Sequence, residues 1–121
     1  MNTLHRQNGF PPQSPADQQL LLRQYPDLAS ELALVEGWLW QVGSWVDAGA
    51  TDFGIEASLL KMRASDLAMR VTTDGVQLLG GYGYCKDYRM ERLMRDAKIT
   101  QIWEGTNQIH RQLIGRSFLQ R

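Results

Sequence analysis

Apolar residues recur along most of this chain at a helical period. From Pro26 to Asp47, the residues Leu28, Leu32, Val35, Leu39, Val42 and Val46 step alternately by four and three, forming an a/d stripe on one helix face. Trp38 and Trp45 widen the stripe and Gly49 closes it. A segment before it can start at Ser14, a good N-cap, with Pro15 in the first helical position and Asp17 as an acid in the first turn. Leu20, Leu21 and Leu22 give it apolar surface, and Pro26 ends it or begins the next segment. Thr51 or Asp52 can cap a long helix from about Phe53 to Leu79, with Leu60, Ala64, Leu67, Val71, Gly75 and Leu78 on one face. Ala57, Ala64, Ala68 and Gly75 would let a neighbouring helix come close, and Gly80-Gly81 ends the rod. Tyr82 to Tyr88 reads as a turn. A shorter helix follows, opened by Tyr88 or Arg89 and running to about Ile102, with Glu91 and Arg95 spaced i,i+4. The tetrapeptide Trp103-Glu104-Gly105-Thr106 interrupts it, and a last helix starts with Thr106 as its N-cap. No stretch alternates like a strand. The expected class is all-α, an up-and-down bundle.

Composition narrows the partners. A length of 121 residues fits one domain, expected over 14–121, behind a flexible Pro- and Asn-containing leader over 1–13. Lys+Arg and Asp+Glu balance at 13 each, so no net field argues for nucleic acid or an anionic membrane. No apolar run approaches the ~20 residues of a membrane span, and the first residues lack the apolar core of a signal peptide. A soluble, cytoplasmic domain is expected. The lone Cys85 excludes an internal disulfide framework, and two distant histidines, His5 and His110, argue against a metal site.

Candidate chemistry concentrates between Gln77 and Arg111. Glu104 sits between Trp103 and Gly105 just before a helix, and a carboxylate set against an apolar wall becomes a stronger base. The blander reading is a solvated acid in a helix–helix loop. Thr106, Asn107 and Gln108 open a helix whose free N–H groups suit an anion, or they simply cap it. Gln77 with Gly80, Gly81 and Gly83 either ends a helix or leaves backbone open to a flat or phosphate-bearing ligand. His110 by default packs or faces solvent, and Cys85 has no His or Asp beside it to make it a nucleophile.

Taken together, QLLGGYGY…ERLMRDAKITQIWEGTNQIHR and the upstream GIEASLLKMRASDLAMRV resemble the C-terminal signature of the flavin-dependent acyl-CoA dehydrogenases. The resemblance covers about Leu28 to the end. It implies an antiparallel four-helix bundle with a short final helix. It implies that Glu104 is the base that removes the α-proton of an acyl-CoA thioester while FAD accepts the β-hydride. It further implies that Trp103 and Gly105 face substrate, that Thr106, Asn107 and Gln108 contact FAD, and that Gln77, Gly80 and Gly81 contact the FAD of a neighbouring subunit. Arg89, Cys85 and His110 stand where the family more often has proline, a small polar residue and glutamine.

Family enzymes carry two further domains ahead of this one, and the arginine shortly before a Phe-Gly pair that meets the flavin pyrophosphate is missing before Leu28. Two functional expectations result. One is a small subunit or C-terminal domain of a flavin-dependent acyl-CoA dehydrogenase, joined to a larger subunit and inactive without it. The other is a truncated, non-catalytic bundle that forms homo-oligomers through faces the missing domains would cover.

Overall fold

The chain is described by a computed structural model over residues 15–120, so the expected leader over 1–13 and the proposed Ser14 cap lie outside the described residues. Within them all regular structure is helical: α1 (Pro15–Asp47), α2 (Gly54–Leu79), α3 (Gly81–Tyr84), α4 (Met90–Thr100) and α5 (Asn107–Leu119). None of these helices is long and apolar enough to cross a membrane.

The bundle is built around α2, against which α1, α3, α4 and α5 all pack. Among the described helices α1 packs on α2 alone. The directions alternate. Glu31 of α1 pairs with Arg70 of α2 at 2.6 Å, while Trp38 further along α1 donates its indole N–H to the Glu56 carbonyl near the start of α2. Those pairings run antiparallel. Leu28 and Val42 from α1, Leu67 from α2, Ala97 from α4 and Ile114 from α5 form the buried apolar centre.

The a/d stripe of α1 divides into two rows. Leu28, Val35 and Val42 turn towards α2 and are buried or half-buried. Leu32, Leu39 and Val46 are exposed, and so are Leu34 (74%) and Trp40 (73%) on the outer side. With one neighbour, α1 can bury only one row. Trp38 and Trp45 meet edge to face, with centroids 5.6 Å apart, at the border between the rows.

Pro26 does not end a segment. It lies inside α1, which runs unbroken through it. The lost backbone donor costs one i→i−4 bond, and Pro26 is at an exposed position just before the buried row begins. Neither Thr51 nor Asp52 caps α2. Phe53 stands at the N-cap (φ −136°, ψ 16°) without a side-chain cap bond, and its carbonyl accepts from the Ala57 N–H at 2.8 Å.

Gly80, at φ 56°, ends α2. The expected plain turn after it contains one helical turn, α3, closed by Cys85 N–H to Gly81 O at 3.1 Å. Gly83 is buried where α3 folds back on α2, and a Cβ there would lie 2.7 Å from the Val76 carbonyl and 2.9 Å from Leu79 Cβ. Backbone cannot yield as a side chain can, so Gly83→Ala is expected to cost about 1–3 kcal/mol. At Gly75 the nearest atom to a new Cβ is Met90 Sδ at 2.8 Å, the end of a flexible side chain. Gly75→Ala should therefore shift the urea midpoint less than Gly83→Ala; equal shifts would contradict this packing. The expected close approach of α2 to a neighbour is thus found at Gly75, against α4.

Candidate active site

The segment between α4 and α5 is a short turn with a fixed shape. The last turn of α4 tightens, with Ile102 N–H and Trp103 N–H both donating to Ile99 O. Asn107 N–H reaches back to Gln101 O at 3.0 Å and closes the turn. Inside it, Glu104 has φ 52° and Gly105 φ 87°. Glu104 is the one non-glycine residue with positive φ among those described, a conformation that costs an L-residue about 1–2 kcal/mol. Such strain persists only where the surroundings fix it.

Those surroundings come from α2. Lys61 Nζ donates to Gly105 O at 2.8 Å and to Asn107 Oδ1 at 2.7 Å. Asn107 Nδ2 donates to Asp66 Oδ1 at 2.7 Å and Ser65 Oγ at 2.8 Å. Asp66 Oδ1 also accepts from Gln101 Nε2 at 2.7 Å, and its Oδ2 accepts from Arg111 Nη2 at 2.6 Å. One stretch of α2 therefore grips both sides of the turn, Gln101 before it and Asn107 and Arg111 after it. The partners also fix the Asn107 amide orientation, because lysine can only donate and an ionised carboxylate only accept. On the remaining side, His110 of α5 contacts the Glu104 carbonyl through Nε2 at 3.1 Å.

Burial alone would push the Asp66 carboxyl up, but hydrogen bonds from Gln101 and Asn107, with the Arg111 guanidinium beside it, outweigh this and hold it below the usual carboxylate range. A carboxyl depressed on folding contributes stability that is fully present above its unfolded value, about 3.9, and is lost as pH falls through the folded value. Unfolding midpoints should accordingly drop below about pH 4. In Asp66→Asn that acid-linked drop should shrink, and an unchanged pH profile would count against the assignment.

The structure distributes the expected site residues unevenly. Glu104 is exposed, and its carboxylate has no hydrogen-bond or ion-pair partner among the described residues. Trp103 does not wall it in within this chain, being 55% exposed itself. The physical reason is that none of the described helices packs over it. Gly105 is exposed and Gln108 likewise. Thr106 acts as the predicted N-cap, its Oγ1 accepting from Ile109 N–H at 3.4 Å.

Asn107 is only 2% exposed, and its backbone N–H and its whole amide are engaged within the chain. Gln77, Gly80 and Gly81 are exposed at the C-terminal end of α2, and a Cβ at either glycine would meet nothing within 4 Å. Gln77 stands roughly 18 Å along α2 from the Ser65 anchor, with Gly80 and Gly81 just past the helix end, so one chain does not bring them onto the Glu104 turn.

Lys61, Ser65 and Asp66 escaped the sequence reading. They share a side of α2 beside the apolar Leu60, Ala64 and Leu67, and Ser65 is buried there. Polar residues spaced four and five apart next to an apolar helix face need partners when covered. That spacing was the available signal. Among the described residues no three His, Cys, Asp or Glu side chains cluster as metal ligands.

Comparisons with known proteins bear on the family and the fold. The model of the acyl-CoA dehydrogenase C-terminal domain matches residues 3–119. A cyclohexane-1-carbonyl-CoA dehydrogenase from Geobacter metallireducens is 42% identical over 103 residues, covering 85% of this chain and 27% of the relative. An acyl-CoA dehydrogenase from Bacillus subtilis is 58% identical over 66 residues, covering 54% of this chain and 17% of the relative. The solved butyryl-CoA dehydrogenase of Megasphaera elsdenii superimposes with a TM-score of 0.78 at 39% identity, covering 84% of this chain and 26% of that structure. The chain thus spans about a quarter of the length of such relatives.

Proposed function

This chain belongs to the acyl-CoA dehydrogenase family, in the family's C-terminal domain, and from that premise we propose that it supplies the proton-abstracting base and part of the FAD site for α,β-dehydrogenation of an acyl-CoA thioester. The observation that carries this reading is the Glu104 turn. Its backbone is fixed in a strained form by Lys61 and His110, while its carboxylate is left without a partner. A surface acid in an ordinary loop needs no such support.

In the proposed reaction the Glu104 carboxylate takes the α-proton as that C–H bond breaks, and the β-hydrogen leaves with its electron pair. FAD, when bound, supplies the acceptor for that hydride. The rest of the work by this chain is positional. The Glu104 backbone N–H would polarise the thioester carbonyl, a modest form of oxyanion stabilisation. Trp103 would line the acyl chain, with Gly105 beside the thioester.

The residues fit the cofactor in part. Gln77, Gly80 and Gly81 present open backbone and Gln108 an exposed amide, and these would hold FAD; Thr106, whose Oγ1 accepts from Ile109 N–H, keeps its hydroxyl hydrogen to donate. The side chain of Asn107 is engaged by Lys61, Ser65 and Asp66. Because Gln77–Gly81 lie at the C-terminal end of α2 and the Glu104 turn is held at its middle, the two sets would serve different FAD molecules, or different ends of one, in an assembly with a larger acyl-CoA dehydrogenase subunit.

The test is reconstitution. Mixed with a chain carrying the N-terminal and middle domains of the family, the protein should retain yellow flavin that bleaches anaerobically on adding acyl-CoA. A colourless mixture that never bleaches would sink the reading. A second reading, a non-catalytic bundle that self-associates, is favoured by the exposed row Leu32, Leu39 and Val46 with Leu34 and Trp40. Light scattering showing a stable homo-oligomer in a chain that never binds flavin would establish that alternative.

A further inference from the structure

His110 carries an unusual pairing of contacts. Its Nε2 lies 3.1 Å from the Glu104 carbonyl oxygen. Its Nδ1 is buried and has no hydrogen-bond partner among the described residues. A carbonyl can only accept, so Nε2 must carry the hydrogen and Nδ1 must be bare in the neutral ring. The contact as built therefore fixes the Nε2–H tautomer of the ring.

The ring also fills the space beneath the turn, where a Cβ on Gly105 would lie 3.1 Å from Nε2. The consecutive carbonyls of the turn are thus tied from two sides. His110 of α5 holds Glu104 O, and Lys61 of α2 holds Gly105 O. A peptide unit is planar, with its C=O and N–H pointing oppositely. Fixing the carbonyls of residues 104 and 105 inward therefore fixes the N–H groups of Gly105 and Thr106 outward. It also fixes ψ of Glu104, and with φ 52° this sets the direction in which the Glu104 side chain leaves the backbone.

We propose that His110, as the Nε2–H tautomer, is a positioning residue that holds the Glu104 carbonyl and so aims the Glu104 carboxylate at its substrate. The donor is what matters. A side chain of similar bulk without one should let the strained Glu104 backbone relax, while a glutamine, which carries an amide N–H, should restore the hold. The catalytic part of this statement rests on the role proposed for Glu104. The tautomer and the turn geometry do not.

Two measurements keep these apart. First, nitrogen-15 NMR of the full chain should show Nδ1 as pyridine-type and Nε2 as pyrrole-type at neutral pH. Amide exchange at Gly105 and Thr106 should speed up in His110→Phe and return towards the parent rate in His110→Gln, with the amides of α1 unchanged. The reverse tautomer, or exchange in His110→Phe equal to the parent, overturns the proposal whatever the chain does. Second, in the flavin-bearing assembly, His110→Phe should lower kcat by about 10- to 100-fold, the scale of a misplaced reacting group, with KM changed little. His110→Gln should recover most of that loss. A Phe variant as active as the parent, or a Gln variant as poor as Phe, overturns the positioning role. If the parent assembly has no activity while the NMR result holds, the role of Glu104 fails and the hold on its carbonyl stands.

Discussion

In an assembly that bleaches flavin with acyl-CoA, Glu104→Gln is expected to slow that bleaching by about 10³-fold, within the 10²–10⁴ range for a lost general base. The same substitution should leave the thermal midpoint almost unmoved. Both halves follow from one fact: the Glu104 carboxylate bonds to nothing among the described residues, so an isosteric amide removes proton acceptance and leaves the fold's contacts in place. The amide occupies the same volume at the same φ of 52°, so the backbone strain is carried over rather than relieved. Stopped-flow absorbance of the flavin gives the rate, and a thermal scan on the same sample gives the control. A Gln variant that bleaches at the parent rate would remove Glu104 as the base. A variant that is slow but also melts early would mean the carboxylate has a structural task that the contacts do not show.

Asn107→Ala is the expected opposite, a large loss of stability at a residue that meets no substrate. Truncation deletes the amide that joins Lys61, Ser65 and Asp66 to the start of α5. The surviving groups are left short of partners in a covered position, at about 1–3 kcal/mol for each buried group that stays unsatisfied. Since Lys61 keeps Gly105 O and Asp66 keeps Gln101 and Arg111, the whole loss should be about 3 kcal/mol rather than the sum of every bond. For a domain of this size that lowers the melting temperature by roughly 15 °C. Urea denaturation would check it, and a shift under about 0.5 kcal/mol, the level of an ordinary surface change, would show that the network is dispensable.

The sequence pattern was sufficient for the helices because helix signals are local. The a/d rows of α1, the double glycine after α2 and the Thr106 cap each lie within a turn or two of what they control, and the structure places the elements accordingly. Pro26 misled because a proline's effect depends on what the helix gains by continuing, and here the buried row Leu28–Val35–Val42 begins just beyond it. The position of Glu104 was legible from the residues around it, together with the family resemblance. Its support was not. Lys61, Ser65 and Asp66 lie in what reads as the flank of an amphipathic helix, and nothing nearby in the chain states that their partners are Gly105, Asn107 and Arg111. The same limit applies at Asn107, whose partners on α2 are invisible in the sequence. A polar residue at a helix start looks available to a ligand until the helix packed beneath it is known.

The bonds that hold the turn join residues far apart along the chain: Lys61 to Gly105 across 44 positions, Lys61 to Asn107 across 46, and Asp66 to Arg111 across 45. Contacts of that span must overcome loop-closure entropy before they stabilise anything, and they form after local structure. α1 and α2 can come together as a hairpin with the turn still shapeless. Glu104 acquires its left-handed conformation only when α5 docks and the last loop closes. The orientation of the Glu104 carboxylate is therefore expected to be set late in folding, and partly folded forms with most of their helix content would lack it.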